Sequence, residues 1–435
     1  MTAGATAVHL SALPPVGPRT LEETGLGTGF LIELTCKILY TGGTMSLASL
    51  SDRLALPVSV TSDLAEYLKK ERLAEVRSGG DVRASYVYAL TDLGRDRARE
   101  FLKASGYAGA APVTAAQYAE VAWKQSVQKV PVTARRMTQA FDGVVLPSGL
   151  LDRLGPAVNS GRSLFLYGPS GTGKTFIAER LKILLEGSIF IPRAIAVDSH
   201  VVRVFDPAFH TEIHIGEGLD SFGDILEGGP RYDRRFVLCE RPAIIAGGEL
   251  SLAMLDLCFD PASGYYESPL QLKANGGIFV IDDLGRQMVR PLDLLNRWIM
   301  PLEKGVDYLT LRTGKKFEIP FDQVIVFSTN IEPRELADEA FLRRLGYKIR
   351  IAHISPAEYV SICHQVCARL GMEFRPDAIR HLVEVEHEKR DAPLCACHPG
   401  DILGRVAEIC RYRGVAPHIT RDLVVQACRD YFTEL

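Results

Sequence analysis

The octapeptide Gly168-Pro-Ser-Gly-Thr-Gly173-Lys174-Thr175 constrains this chain more than any other stretch of it. It fits the pattern G-x-x-x-x-G-K-[ST] and lies between the apolar run Ser163-Leu-Phe-Leu-Tyr167 and a helical stretch from Lys174 to Leu185. Glycines let the backbone wrap a polyphosphate, so that amide N–H groups and the start of the helix face its negative charge. Gly168, Pro169, Ser170, Gly171, Thr172 and Gly173 would form that cradle, with Lys174 neutralising the outer phosphates and Thr175 ligating Mg²⁺. Strand, loop, helix and a further apolar run at Ala194 to Phe205 imply an α/β fold with a parallel sheet.

Two later strands end in groups suited to the same chemistry. Gly277-Ile-Phe-Val-Ile281 runs into Asp282-Asp283, where the first carboxylate would hold the Mg²⁺ water shell and the second would orient attacking water. Gln323-Val-Ile-Val-Phe327 runs into Ser328-Thr329-Asn330, which puts an amide where it would hold the lytic water. Adjacent guanidiniums follow in Asp338-Glu-Ala-Phe-Leu-Arg343-Arg344, a fork of donors fitted to phosphate across a subunit boundary, with ordinary surface arginines as the alternative. ATP and Mg²⁺ are the ligands this set predicts.

Around that unit the chain divides into several parts, as its 435 residues suggest. Residues 1–27 read as a flexible leader. Residues 28–105 read as helices at Phe30 to Tyr40, Leu47 to Leu54 and Thr61 to Leu73, a hairpin of Ala74 to Arg77 with Ala84 to Leu90 about Ser78-Gly79-Gly80-Asp81, and a helix from Asp92 to Ala104. That order resembles a winged-helix domain. Residues 106–135 read as a linker turning helical at Tyr118 to Gln128, residues 136–352 as the nucleotide-binding core, and residues 353–435 as an all-helical lid. The lid opens on a capping box at Ser355-Pro-Ala-Glu358 and continues with helices near Pro376 to Lys389, Asp401 to Tyr412 and Arg421 to Thr433.

Composition sets limits on partners. Apolar residues at 47% and charged residues at 24% fit a soluble globular chain, and no apolar run reaches the length of a membrane span, so no membrane partner and a cytoplasmic location are expected. A net charge of −3 gives no global attraction for nucleic acid. Residues 28–105 hold 11 basic and 10 acidic groups, so DNA contact through Ser59, Thr61, Ser62 and Lys69 stands beside protein docking without being favoured. The nine cysteines read as reduced thiols. Cys363-His364-x-x-Cys367 with Cys395-x-Cys397-His398 could converge on zinc, but buried thiols account better for that spacing.

The ordered set of glycine loop, Asp-Asp strand, Ser-Thr-Asn strand, Phe-Leu-Arg-Arg and helical C-terminus resembles an AAA+ module. The resemblance implies an ATPase acting as a ring, usually a hexamer, with Lys174, Thr175, Asp282, Asp283 and Asn330 in one subunit and Arg343 or Arg344 reaching a neighbour's nucleotide. Gly248-Glu-Leu-Ser-Leu and Gly264-Tyr-Tyr-Glu-Ser-Pro-Leu-Gln-Leu-Lys-Ala-Asn275-Gly-Gly resemble the helix-2-insert branch, which includes MoxR-like ATPases and enhancer-binding activators. By that likeness Tyr265 and Tyr266 would face the ring centre. Asp283-Leu-Gly-Arg286-Gln and Leu295-Asn-Arg-Trp-Ile-Met-Pro-Leu-Glu303 resemble bacterial ATPases described as chaperones linked to pilus assembly. A remodelling ATPase with a protein client is the leading expectation. A DNA-acting or transcription-regulating ATPase and a slow nucleotide-gated switch are the alternatives. The switch is suggested by Asp283, where the family usually has glutamate, and by Gly400, where its lid usually offers arginine, with Arg405 as a substitute. If geometry alone limits turnover, Asp283→Glu would raise it.

Overall fold

The computed structural model describes residues 13–79, 85–161, 163–214, 232–336 and 339–432. The expected turn at Gly80-Asp81, the start of the second hairpin strand at Ala84, the first twelve residues, Asp338 and Thr433 lie outside them.

Helices α1 (Thr28–Gly42), α2 (Leu47–Leu54) and α3 (Val58–Lys70) bury Leu31, Leu34 and Ile38, Leu50 and Leu54, and Val60, Leu64 and Leu68 against one another. Spacings of three and four residues put each set on one helical face. Strands β1 (Met45–Ser46), β2 (Ala74–Ser78) and β3 (Val87–Leu90) form an antiparallel sheet in the order β1-β3-β2, and α4 (Asp92–Ala104) packs on α1. Helix α3 begins and ends three residues before the pattern suggests. Pro57 opens it, and Arg72, with a left-handed φ of 59°, sends Leu73 back so that its amide reaches the Leu68 carbonyl.

The segments expected to be a leader and a linker are folded where they are described. The buried Arg235 guanidinium, paired with Asp233, donates to the carbonyls of Thr24 and Pro112 and ties both segments to the body. Thr114 caps α5 (Ala115–Lys124) in a reciprocal box with Gln117, and β4 (Val113–Thr114) joins a sheet. The Asp322 carboxylate accepts from the Ser126 hydroxyl at 2.7 Å and the Val127 amide at 3.0 Å. Side chains too small and flexible to show periodicity are held here by polar contacts distant in sequence.

The parallel α/β core is present. Strands β5 (Leu164–Tyr167), β10 (Ala243–Ala246), β13 (Ile278–Ile281), β16 (Val324–Thr329) and β17 (Tyr347–Arg350) form one parallel sheet in the order β10-β13-β16-β5-β17. The run from Ala194 to Phe205 does not enter this sheet. It doubles back at Asp198, whose φ is 54°, as β7 (Ala194–Val197) and β8 (His200–Arg203). With β11 (Cys258–Asp260) and β12 (Tyr265–Glu267) these belong to a second sheet, ordered β11-β12-β8-β7-β4. A strand pair of β6 (Ser188–Pro192) with β9 (Phe236–Glu240) and a hairpin of β14 (Val306–Thr310) with β15 (Lys316–Pro320) share its apolar core.

This second sheet corrects the expectation for Tyr265 and Tyr266. Tyr266 is buried against Phe259 and His200, and its hydroxyl accepts from the Arg312 amide. Tyr265 meets Tyr107 edge-on, with ring centroids 5.6 Å apart. Pairing of Tyr266 with β8 and of Tyr265 with β11 holds both side chains in packed surfaces, not on a projecting loop.

The C-terminal bundle contains helices Pro356–Leu370, Pro376–His381, His398–Tyr412 and Arg421–Tyr431 around a core that includes Tyr359, Leu382, Leu403 and Val424. The Ser355–Glu358 capping box forms as the sequence suggests. Cys363 and Cys367 lie in this core, and His364 packs on Phe374. Cys395 and Cys397 face the glycine loop instead, and among the described residues no three His, Cys, Asp or Glu side chains are grouped to hold a metal.

Candidate functional site

Parallel pairing brings the ends of three strands to one edge. Thr329 pairs with Tyr167 and Phe327 with Ile281, so the glycine loop after β5, Asn330 after β16 and Asp282-Asp283 after β13 emerge side by side. Loops at the carboxyl ends of parallel strands are where α/β sheets bind ligands.

The loop has three glycines at positive φ, Gly168 at 139°, Gly171 at 75° and Gly173 at 88°. A Cβ at Gly168 would overlap the Ile351 carbonyl oxygen, and one at Gly171 would lie 2.7 Å from the Cys397 sulfur. The helix Lys174–Arg180 follows at once. Lys174 is buried, and its Nζ donates to the carbonyls of Gly168 at 2.9 Å and Pro169 at 2.7 Å. Burial lowers its pKa, while the carboxylates of Asp283 and Asp282 oppose that shift. The Thr172 hydroxyl closes the loop on the Pro169 carbonyl, half-buried Pro169 lines it, and Ser170 is exposed at its tip.

The Thr175 hydroxyl contacts both oxygens of Asp282 at 2.9 Å. A hydroxyl and a carboxylate are hard oxygen donors of the kind Mg²⁺ selects, so this pair fits the ion. Asp283 takes a left-handed φ of 51° and is half exposed. Asn330 is half-buried at the end of β16.

The two arginines are placed differently. Arg344 is paired with Glu303, at the end of helix Pro291–Lys304. Arg343 is 78% exposed and lies 3.7 Å from Glu339. Arg405 stacks over the Tyr431 ring at 5.5 Å, and the Tyr431 hydroxyl donates to Asp401. A Cβ at Gly400 would meet nothing within 4 Å.

The C-terminal bundle touches the loop through residues whose role the sequence did not suggest. The Cys397 amide donates to the Gly171 carbonyl at 3.1 Å, and the Cys395 thiol approaches the Ser170 carbonyl at 3.6 Å and His353 at 3.5 Å. Burial pushes the Cys395 thiol up to about 11, so it stays protonated. Spacing gave no signal for this contact, because it is a backbone meeting set by how the bundle sits on the core. In the N-terminal part, Thr61 is buried and donates to the Pro57 carbonyl, which removes it from the proposed DNA-contacting set. The exposed face of α3 carries Ser59, Asp63, Glu66, Tyr67, Lys69 and Lys70. No described helix is long and apolar enough to cross a membrane.

Comparison with known proteins gives limited likeness. A family model described as a domain of unknown function (DUF8689) matches residues 355–430, within the helical bundle. No curated protein matches the sequence. Among solved structures the chain is similar to NtrX from Brucella abortus, at 14% identity and a TM-score of 0.40, covering 68% of this chain and 57% of that one. A similar likeness is found to a mutant of RuvB from Thermotoga maritima, at 12% identity and a TM-score of 0.40, covering 66% and 70%. NtrX in complex with ADP gives 13% identity and a TM-score of 0.39, covering 66% and 56%.

Proposed function

We propose that this chain is a Mg²⁺-dependent ATPase of the AAA+ type, which assembles as a ring, expected to be a hexamer, in the cytoplasm and remodels a protein client. The observation that carries the reading is the meeting of Thr175 with Asp282 beside the buried Lys174 in a glycine loop of the required conformation. Mg²⁺, when bound by Thr175 and Asp282, supplies positive charge to the phosphate oxygens. Loop amides and Lys174 bind the triphosphate, Asp283 and Asn330 orient water, and Arg343 or Arg344 of a neighbouring copy stabilises charge on the transferred phosphoryl group. We place the nucleotide-binding core at 136–352 and the lid at 353–435, with 28–105 as a winged-helix-like partner-recognition part.

Purified protein should bind ATP with Mg²⁺ and release phosphate, and Lys174→Ala should weaken binding by about tenfold or more and abolish phosphate release. Protein that neither binds nor hydrolyses ATP, and on which Lys174→Ala has no effect, would end this reading. Asp63 and Glu66 balance Lys69 and Lys70 on the exposed face of α3, which leaves no net positive charge there, so turnover should not respond to duplex DNA at physiological salt.

A further inference from the structure

The stretch Asp282-Asp283-Leu284-Gly285-Arg286-Gln287 is more than the end of a strand. It is a closed turn with two left-handed positions, Asp283 at 51° and Gly285 at 110°. Left-handed backbone at a residue with a Cβ persists only where neighbours hold it.

Two side chains supply that hold, together with a backbone bond from the Arg286 amide to the Asp283 carbonyl at 3.0 Å. The Gln287 amide donates to the Asp282 carbonyl at 2.8 Å, and its oxygen accepts from the Gly285 amide at 2.8 Å, so one side chain closes the turn on itself. From the adjacent strand, the Ser328 carbonyl accepts from the Leu284 amide at 2.7 Å, and the Thr329 hydroxyl donates to the Leu284 carbonyl at 2.6 Å. Thr329 is fully buried and directly precedes Asn330. The turn that aims Asp283 is thereby fastened to the strand that presents Asn330.

We infer that Gln287 is a positioning residue for ATP hydrolysis: by clamping the turn between Asp282 and Gly285 it fixes the left-handed backbone at Asp283 and thus the direction of that carboxylate. The inference rests on the ATPase reading and names a residue whose amide contacts are with the backbone of the turn. It also accounts for aspartate at 283. Asp and Asn are several-fold enriched in left-handed conformations, whereas a longer side chain gains no such local support.

The test is steady-state ATP hydrolysis together with binding of a fluorescent ATP analogue by the full chain and by Gln287→Ala and Gln287→Glu. The glutamate variant keeps the acceptor for the Gly285 amide but cannot donate to the Asp282 carbonyl. Both variants lose the bond to the Asp282 carbonyl, and kcat should fall about tenfold or more in each. Analogue affinity should change less than about twofold, because the glycine loop is untouched. Unchanged kcat in both variants beside an active parent protein would overturn this inference alone. So would a fall in kcat matched by equal losses of analogue affinity and melting temperature, the mark of general structural damage. No turnover in the parent protein would remove the ATPase reading and this inference with it.

Discussion

The Thr175 hydroxyl lies 2.9 Å from each carboxylate oxygen of Asp282, although 107 residues separate the two in the chain. Their strands are not neighbours, because β16 runs between β5 and β13. The contact therefore reports that three strand ends are in register, and it is sensitive to either partner. Thr175→Val keeps the shape of the side chain but removes the oxygen. Affinity for ATP with Mg²⁺ should fall about tenfold, while affinity in chelator should barely move, as a titration with a fluorescent nucleotide will show.

Lys174 is held in a cage of carbonyls and is largely out of water. Desolvation offsets much of what those bonds contribute, so Lys174→Ala should leave the melting temperature within a few degrees of the parent. Loss of the ammonium should still weaken ATP binding by about tenfold or more. Calorimetry beside nucleotide titration separates the two effects, and a collapse of thermal stability would contradict this account of the cage.

Glutamate in place of Asp283 would raise turnover if geometry alone limited it. The left-handed φ of 51° favours the opposite outcome. Asp283→Glu should cost about 0.5–1 kcal/mol in the turn and turn over no faster than the parent. Asp283→Asn, which suits the same backbone, should bind ATP normally and hydrolyse it at least about tenfold more slowly. Faster phosphate release by the glutamate variant would show that side-chain length, not turn conformation, limits the reaction.

His398 opens a helix of the C-terminal bundle, is nearly buried, and its Nδ1 has no hydrogen-bond partner among the described residues. Burial, then His387, lowers its pKa to about 4, with His353 adding to the effect and Asp401 opposing it. The native state therefore refuses a proton that the unfolded chain, titrating near 6.5, accepts. Stability is fully present above about pH 6.5 and is lost as pH falls toward 4. The buried His387, whose pKa is also lowered, adds to the same trend. Denaturant unfolding at pH 7 and pH 5 should show a smaller pH slope in His398→Leu than in the parent, and identical slopes would refute the assignment.

Arg343 and Arg344 can be separated by mixing. Arg344 is engaged by Glu303 of its own chain, while Arg343 projects into solvent. Arg343→Ala should lower turnover about a thousandfold in the assembled protein. Mixed with Lys174→Ala, it should regain activity, since one copy then supplies the site and the other the guanidinium. Arg344→Ala should act mainly through stability. The reverse pattern would assign the trans role to Arg344.

Features set by local chemistry were legible in the sequence. The glycine loop needs backbone freedom at fixed intervals and a cation next to a hydroxyl, so Gly168 to Thr175 could be read directly, as could the apolar strands leading to Asp282 and Asn330 and the capping box at Ser355. Helices α2 and α4 were legible to the residue because their apolar periodicity and caps agree. What no local pattern could reveal was decided by packing. Asp198 turns an apolar run away from the parallel sheet, and pairing with β8 puts Tyr266 in a core. Arg235 and Asp322 draw apparently loose segments into the body, and Cys397 rests on Gly171. Each of these depends on partners far apart in sequence, whose meeting is fixed by strand register and burial, and periodicity within a single segment carries no information about either.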